Sequence, residues 1–221
     1  MNPLLVIDRL CVRYDSRDVL QALSLDVAPG ELVALMAPSG AGKTTALRAV
    51  AALQSFDEGR IVVDGFALNP GPLPPESQLV PLRRRVGLVF QGHALFEHLS
   101  ARDNVTLALR HVLGKSREDA EAIAERLLDS LEVGTRANAW PRQLSGGEAQ
   151  RVAIARALAL DPPVVLMDEP TAALDPARRA ALGTTLRRLC KQGRGLLVAT
   201  HDAEFARAHA DRVLTLGEVR G

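Results

Sequence analysis

Nine consecutive residues, Ala37-Pro38-Ser39-Gly40-Ala41-Gly42-Lys43-Thr44-Thr45, combine small side chains, one cation and two adjacent threonines. The glycines at 40 and 42 let backbone N–H groups converge on an anion with no Cβ in the way. A helix starting at Lys43 would add the positive end of its dipole at the same point. Lys43 then offers a full charge to the outer phosphates of a polyphosphate, and the Thr44 hydroxyl suits a hard divalent cation. The segment fits G-x-x-x-x-G-K-[ST] except at its first position, which is Ala37. Alanine adopts positive φ less easily than glycine. A tolerated change is expected here, with a weakened phosphate site as the alternative.

A second candidate is Val164-Val165-Leu166-Met167-Asp168-Glu169, an apolar run ending in two carboxylates. A buried strand aims its last side chains at the ligand edge of a parallel sheet. Asp168 would hold Mg²⁺ there, through water, and Glu169 would orient and polarise an attacking water as general base. Taken alone, the pair could equally cap a helix after a core strand. The phosphate loop upstream favours the chemical reading.

A third is Leu144-Ser145-Gly146-Gly147-Glu148-Ala149-Gln150-Arg151. Ser145 and two glycines open an amphipathic helix and make a second anion-binding end with exposed N–H groups. About a hundred residues separate it from Lys43. If both ends gripped one nucleotide within one chain, the second would be redundant. This segment resembles the signature sequence of ATP-binding-cassette (ABC) ATPases, and the remaining positions match that family in order across nearly the whole chain.

The resemblance implies that ATP and Mg²⁺ are bound between two subunits. Ser39, Gly40, Ala41, Gly42, Lys43, Thr44 and Thr45 of one would face Ser145, Gly146, Gly147 and Glu148 of the other. Tyr14 looks like the aromatic that stacks on adenine, with a core tyrosine as the alternative. Gln91 looks like the glutamine that contacts Mg²⁺ and water and senses the membrane partner. Ala173-Leu174-Asp175 matches the loop that crosses the dimer interface, and His201 the switch histidine that reaches the γ-phosphate. Glu169, His201, Gln91 and Lys43 are thus the expected catalytic set, and Thr44, Gln91 and Asp168 the metal set. The stretch Phe90 to Asn104 would form a docking groove for a short permease helix.

Elements must position these groups. Leu4 to Tyr14 and Val19 to Ala28 alternate like strands around the polar turn Asp15-Ser16-Arg17-Asp18. Short apolar runs at Glu31–Met36, Arg60–Asp64, Val86–Phe90, Val164–Met167, Leu196–Thr200 and Arg212–Leu216 read as further strands. Helices are expected over Lys43 to Leu53, within Leu99 to Val133, from Gly146 to Leu160, over Pro176–Lys191 and over Ala203–Ala208. Ser116-Arg117-Glu118-Asp119 resembles a capped helix start. Five prolines between Asn69 and Pro81 predict a surface loop, neither helix nor inner strand. The expected fold is one α/β domain over 1–221: a P-loop NTPase core with a mainly parallel sheet and an antiparallel β subdomain (1–91 and 161–221), and an inserted α-helical subdomain carrying the signature (92–160).

Other residues read more plainly. His93, His98, His111 and His209 show no partner pattern and suit surface or packing roles. Trp140 is expected in the core, or against a partner. Arg83-Arg84-Arg85 reads as a solvated face, or as a contact to lipid headgroups or a membrane subunit. Cys11 and Cys190 suit core fillers in a reducing compartment.

With 27 basic against 26 acidic residues, no global field draws the chain to nucleic acid or anionic lipid. No apolar run approaches the roughly 20 residues that span a bilayer, and the start lacks the order of a signal peptide. The expectation is a cytoplasmic protein held on the inner face of the membrane through integral permease subunits. Its other partners would be a second, identical ATPase subunit and a periplasmic or extracellular solute-binding protein. Arg83 to Gln91, Leu95-Phe96-Glu97-His98-Leu99 and Trp140 to Leu158 look most like polar amino-acid importers, a likeness that overlaps with lipoprotein-releasing export ATPases. The chain ends soon after Arg212–Leu216, so no added regulatory domain is expected. DNA-repair relatives would carry long coiled-coil inserts or zinc modules, translation-type relatives two cassettes. A P-loop kinase would leave the signature helix and His201 unexplained. A non-hydrolysing regulatory cassette is argued against by Lys43, Asp168, Glu169 and His201.

Overall fold

A computed structural model describes residues 2–15, 17–38, 40–172 and 174–216. The amphipathic strands β1 (Leu5–Tyr14) and β2 (Arg17–Val27) pair antiparallel, and β4 (Glu58–Val63) and β5 (Phe66–Leu68) complete a four-stranded sheet in the order β2-β1-β4-β5. The second sheet is wholly parallel. Its order is β6-β7-β8-β3-β9, formed by β6 (Val86–Val89), β7 (Val164–Asp168), β8 (Gly195–Thr200), β3 (Leu32–Met36) and β9 (Arg212–Thr215). Every residue of β7 and β8 is buried, which is why both read as unbroken apolar runs.

Alternation along these central strands feeds two cores. Val164 and Leu166 of β7, with Leu197 and Ala199 of β8, pack with the antiparallel sheet and α1 (Lys43–Val50). Val165, Met167, Leu196 and Val198 face the opposite layer, α3 (Ala101–His111), α4 (Arg117–Ser130), α5 (Gly146–Leu158), α6 (Pro176–Lys191) and α7 (Ala203–His209). The parallel sheet is therefore a wall with chemistry at its carboxyl edge and a helical layer on one side.

Ser100 and Ser116 each accept from the N–H three residues on, capping α3 and α4 separately, so the helix start expected at Ser116 is observed. Two local features are not expected from the sequence. Strand β5 is three residues long, too short to show a period. The proline-rich segment contains a helix, α2 (Glu76–Arg83), with Pro81 inside it. Proline removes one N–H there. Burial of Leu79 and Leu82 offsets the loss, and Arg83 ties the helix ends together through Glu76 and donates to the carbonyls of Ala51 and Ala52. The arginine run also bonds to the fold: Arg84, which is exposed, donates to Val112 O, and the half-buried Arg85 to Asp64 O and Pro81 O.

Candidate functional site

The phosphate loop joins β3 to α1. Gly42 caps α1 with φ 90°, and a Cβ there would lie 2.7 Å from Leu20 Cδ2 and 2.8 Å from Val19 O. Only glycine meets both the left-handed backbone and that close approach to β2. Ala37, by contrast, is buried and is not among the residues with positive φ, so alanine needs no unusual backbone there. Its carbonyl accepts from Lys43 Nζ at 2.5 Å, and that of Pro38 at 3.2 Å. Ser39, expected in the loop, and Ala173, in the interface loop, lie outside the described residues.

Lys43 is 6% exposed, and its Nζ also stands 3.2 Å from Glu169 Oε1. The other Glu169 oxygen lies 2.8 Å from His201 Nδ1 and accepts from the His201 backbone N–H at 3.3 Å. A carboxylate only accepts, so this contact requires the proton on Nδ1 and leaves Nε2 free. Glu169 follows β7 with φ 46°, and its N–H donates to Ala199 O on β8. A non-glycine residue in this region is strained, and such strain collects at functional sites.

One residue earlier, Asp168 Oδ2 accepts from the Thr44 hydroxyl at 2.8 Å, while Oδ1 is buried with no hydrogen-bond partner. Burial pushes the Asp168 carboxyl above its ordinary range, and the charge of Glu169 adds to this; the Thr44 bond, Arg48 and Lys43 pull the other way. An orphaned carboxylate oxygen beside a threonine hydroxyl fits a hard cation. Among the described residues no three His, Cys, Asp or Glu cluster as a cage. Mg²⁺ usually takes one or two carboxylates and completes its shell with phosphate and water.

Gly40, Gly42, Lys43, Thr44, Thr45, Gln91, Glu169 and His201 line one open cleft of about 250 Å³. None of Ser145, Gly146, Gly147 and Glu148 lines it. They form the start of α5, where Ser145 Oγ accepts from Glu148 N–H at 3.3 Å and Glu148 Oε2 accepts from Ser145 N–H at 2.7 Å, a closed capping box. A Cβ on Gly146 would meet nothing within 4 Å. Tyr14 is half exposed at the end of the β1–β2 hairpin, so it is not a core tyrosine; its hydroxyl donates to Gln54 Oε1.

Trp140 is 41% exposed and does not fill the core. His209 packs on Phe205 and against Gly183. Two connections had no signal in a single sequence. Gln150 Nε2 of α5 donates to Pro170 O, just past Glu169, at 2.5 Å, and Arg156 of α5 donates to the carbonyls of His93 and Ala94. Both sit inside a helical pattern that explains them equally well as ordinary polar positions.

The family described as ABC transporter matches residues 20–172. The glutamate/aspartate import ATP-binding protein GltL of Escherichia coli (strain K12) is 42% identical over 205 residues, 93% of this chain and 83% of that protein. The L-cystine transport system ATP-binding protein TcyN of the same organism is 39% identical over 216 residues, 97% and 86% respectively. Among solved structures, a dimeric post-hydrolysis state of the ATP-binding cassette MJ0796 bound to ADP and Pi superposes with a TM-score of 0.86 at 33% identity, covering 98% of this chain and 99% of that one. The chain belongs to the ABC transporter family, as an ATP-binding cassette that hydrolyses ATP.

Proposed function

We propose that this cassette drives import of a polar amino acid, as one of two identical subunits on the cytoplasmic face of a permease served by a solute-binding protein. The transport names of GltL and TcyN support the cargo class. No helix among the described residues is long and apolar enough to cross a membrane, so the membrane path belongs to other subunits. An apolar groove lined by Phe90, Ala94, Phe96, Leu107, Ala108 and Val112 would receive a permease helix, within and just beyond the Phe90–Asn104 stretch.

Each ATP lies between the cleft of one subunit and the start of α5 of the other. The observation that carries this is that the two anion-binding ends do not share a cleft within one chain. Tyr14 stacks on the base. The loop N–H groups and Lys43 hold the β- and γ-phosphates, and Ser145 to Glu148 of the partner hold the γ-phosphate from the far side. Thr44, Asp168 and Gln91 would hold Mg²⁺, which would neutralise developing phosphate charge when bound. Glu169 orients the attacking water and takes its proton, while His201 is fixed by Glu169 at Nδ1 beside the γ-phosphate position. Loss of the γ-phosphate removes the group both subunits hold, and the interface opens.

Mixing subunits tests the arrangement. Lys43→Ala and Gly146→Asp each inactivate alone. In a mixed dimer shared sites leave one site with neither defect, so hydrolysis returns on mixing, to at most about a quarter of the parent level and to less where the two sites are coupled. No recovery, with mixed dimers demonstrated by differential tagging, refutes the shared site.

A further inference from the structure

Immediately after Gln91 the backbone takes an unusual course. Gly92, His93 and Ala94 have φ of 77°, 67° and 48°, three left-handed residues in succession. Two of them carry a Cβ, and each is disfavoured there. Local bonds hold part of the turn: His93 N–H donates to Phe90 O at 3.1 Å, and Ala94 N–H to Gly92 O at 2.8 Å. The rest is done from outside. Arg156 of α5 forks across the loop, donating from one amino group to Ala94 O at 2.6 Å and from the other to His93 O at 3.0 Å. Its guanidinium carbon also stands 5.8 Å from the centre of the Phe96 ring.

Arg156 is a costly way to fasten a loop. Burial disfavours its charge, and its hydrogen-bond partners among the described residues are backbone carbonyls rather than a carboxylate. A planar fork matched to two adjacent carbonyls fixes geometry better than a flexible ammonium would. The helix that carries it is also the one that starts at the signature. Ten residues separate Gly146 from Arg156, about 15 Å of helix at 1.5 Å per residue. Between them Val152, Ala153, Ile154 and Ala155 are buried, so the two ends are joined by a packed stretch of helix.

We propose that Arg156 is a positioning residue which fixes Gln91 at one nucleotide while the far end of α5 reads the other, so that the two ATP sites of the dimer sense each other through this helix. The inference rests on the shared-site reading above. A displacement of the signature end on closure reaches loop 92–94 through the fork. Because that loop is held in a strained arrangement, it switches rather than bends.

The test is the ATP dependence of hydrolysis by the full chain, for the parent, Arg156→Met, Arg156→Lys and Gln91→Ala. The parent is expected to be cooperative. Arg156→Met is expected to lose cooperativity, its Hill coefficient falling to about 1. Its kcat should drop about ten- to a hundredfold with KM changed by less than about threefold, the pattern of lost positioning rather than lost binding. Arg156→Lys should recover part of kcat without the cooperativity, since one ammonium cannot span both carbonyls in a fixed plane. Amides of 92–95 should exchange faster in both variants. A merely structural role would lower stability and active fraction and leave the Hill coefficient alone. A non-cooperative parent, or parent-like kcat and cooperativity in Arg156→Met, overturns the proposal. Should Arg156→Met fail to fold, parent cooperativity in Arg156→Lys does the same. If Gln91→Ala hydrolyses at the parent rate, the role of Gln91 itself falls. If Gln91→Ala is slow while Arg156→Met is parent-like, only the inference falls.

Discussion

Replacing Glu169 by glutamine separates charge and basicity from shape. The amide keeps the size of the carboxylate, and its oxygen can still accept from Lys43 Nζ, 3.2 Å away in the parent. It cannot take a proton. Loss of a positioned general base lowers the chemical step about 10²- to 10⁴-fold, or ~3–6 kcal/mol at 1.4 kcal/mol per tenfold. A second effect runs the other way. Lys43 and Glu169 are 6% and 11% exposed, so solvent screens their attraction little. At 3.2 Å and an effective dielectric near 20 the gross term is about 5 kcal/mol, before desolvation is subtracted. Without the carboxylate, Lys43 keeps only neutral acceptors and the γ-phosphate meets no like charge. The variant should therefore melt earlier than the parent without nucleotide, bind ATP at least about tenfold tighter, and run as a dimer on a sizing column with ATP. Phosphate release in a single turnover measures the rate. Parent-rate release would refute Glu169 as the base. Slow release with weakened ATP binding would refute the electrostatic account of Lys43.

Two further perturbations probe the same cleft. Asp168 has its pKa raised by burial, so the folded state holds its proton more tightly than the unfolded chain. The favourable contribution to folding is complete below the ordinary value of 3.8 and is lost as pH rises through the raised folded value. Melting curves across that window without metal should show this falling slope in the parent and not in Asp168→Asn, whereas stabilisation by Mg²⁺ and ATP should rise over the same window in the parent alone; equal slopes in both proteins refute it. Gly42→Ala would place a methyl on Val19 O and Leu20 at φ 90°. It should cost about 1–3 kcal/mol of stability and raise the KM for ATP at least about tenfold, checked by denaturant midpoint and steady-state hydrolysis. A parent-like protein would show that the loop can move off β2.

What was legible in the sequence follows from how tightly chemistry restricts residue type. A phosphate cradle needs Gly40, Gly42 and Lys43 in order, and a doubly buried strand reads as an unbroken apolar run, so β3, β7 and β8 stood out. The helix α2 did not, because Pro81 argues locally against it while the burial of Leu79 and Leu82 that overrides it is tertiary. The hydrogen bonds of the arginine run at 83–85 were not legible because their acceptors are carbonyls of residues distant in sequence, such as Ala52 and Val112. Trp140 read as core since large aromatics usually bury, yet it stands exposed beside the 3₁₀ turn it opens. Arg156 was invisible for the same reason as the arginine run: backbone acceptors leave no mark on sequence.

The two cores explain why this division of labour works. Alternate residues of β7 and β8 anchor the sheet to the antiparallel layer and α1 on one side and to the helical layer on the other. The cleft residues ride on the first assembly and on strand ends, whereas the signature rides on α5 in the second. Gln150 to Pro170 O and Arg156 to His93 O and Ala94 O join the helix to the loops that follow Glu169 and Gln91. A force applied at the start of α5 is thus delivered beside both the base and the glutamine. The cleft lining excludes Ser145–Glu148, so in the proposed shared site the state of one nucleotide would be read through the helix of the subunit that does not cradle it.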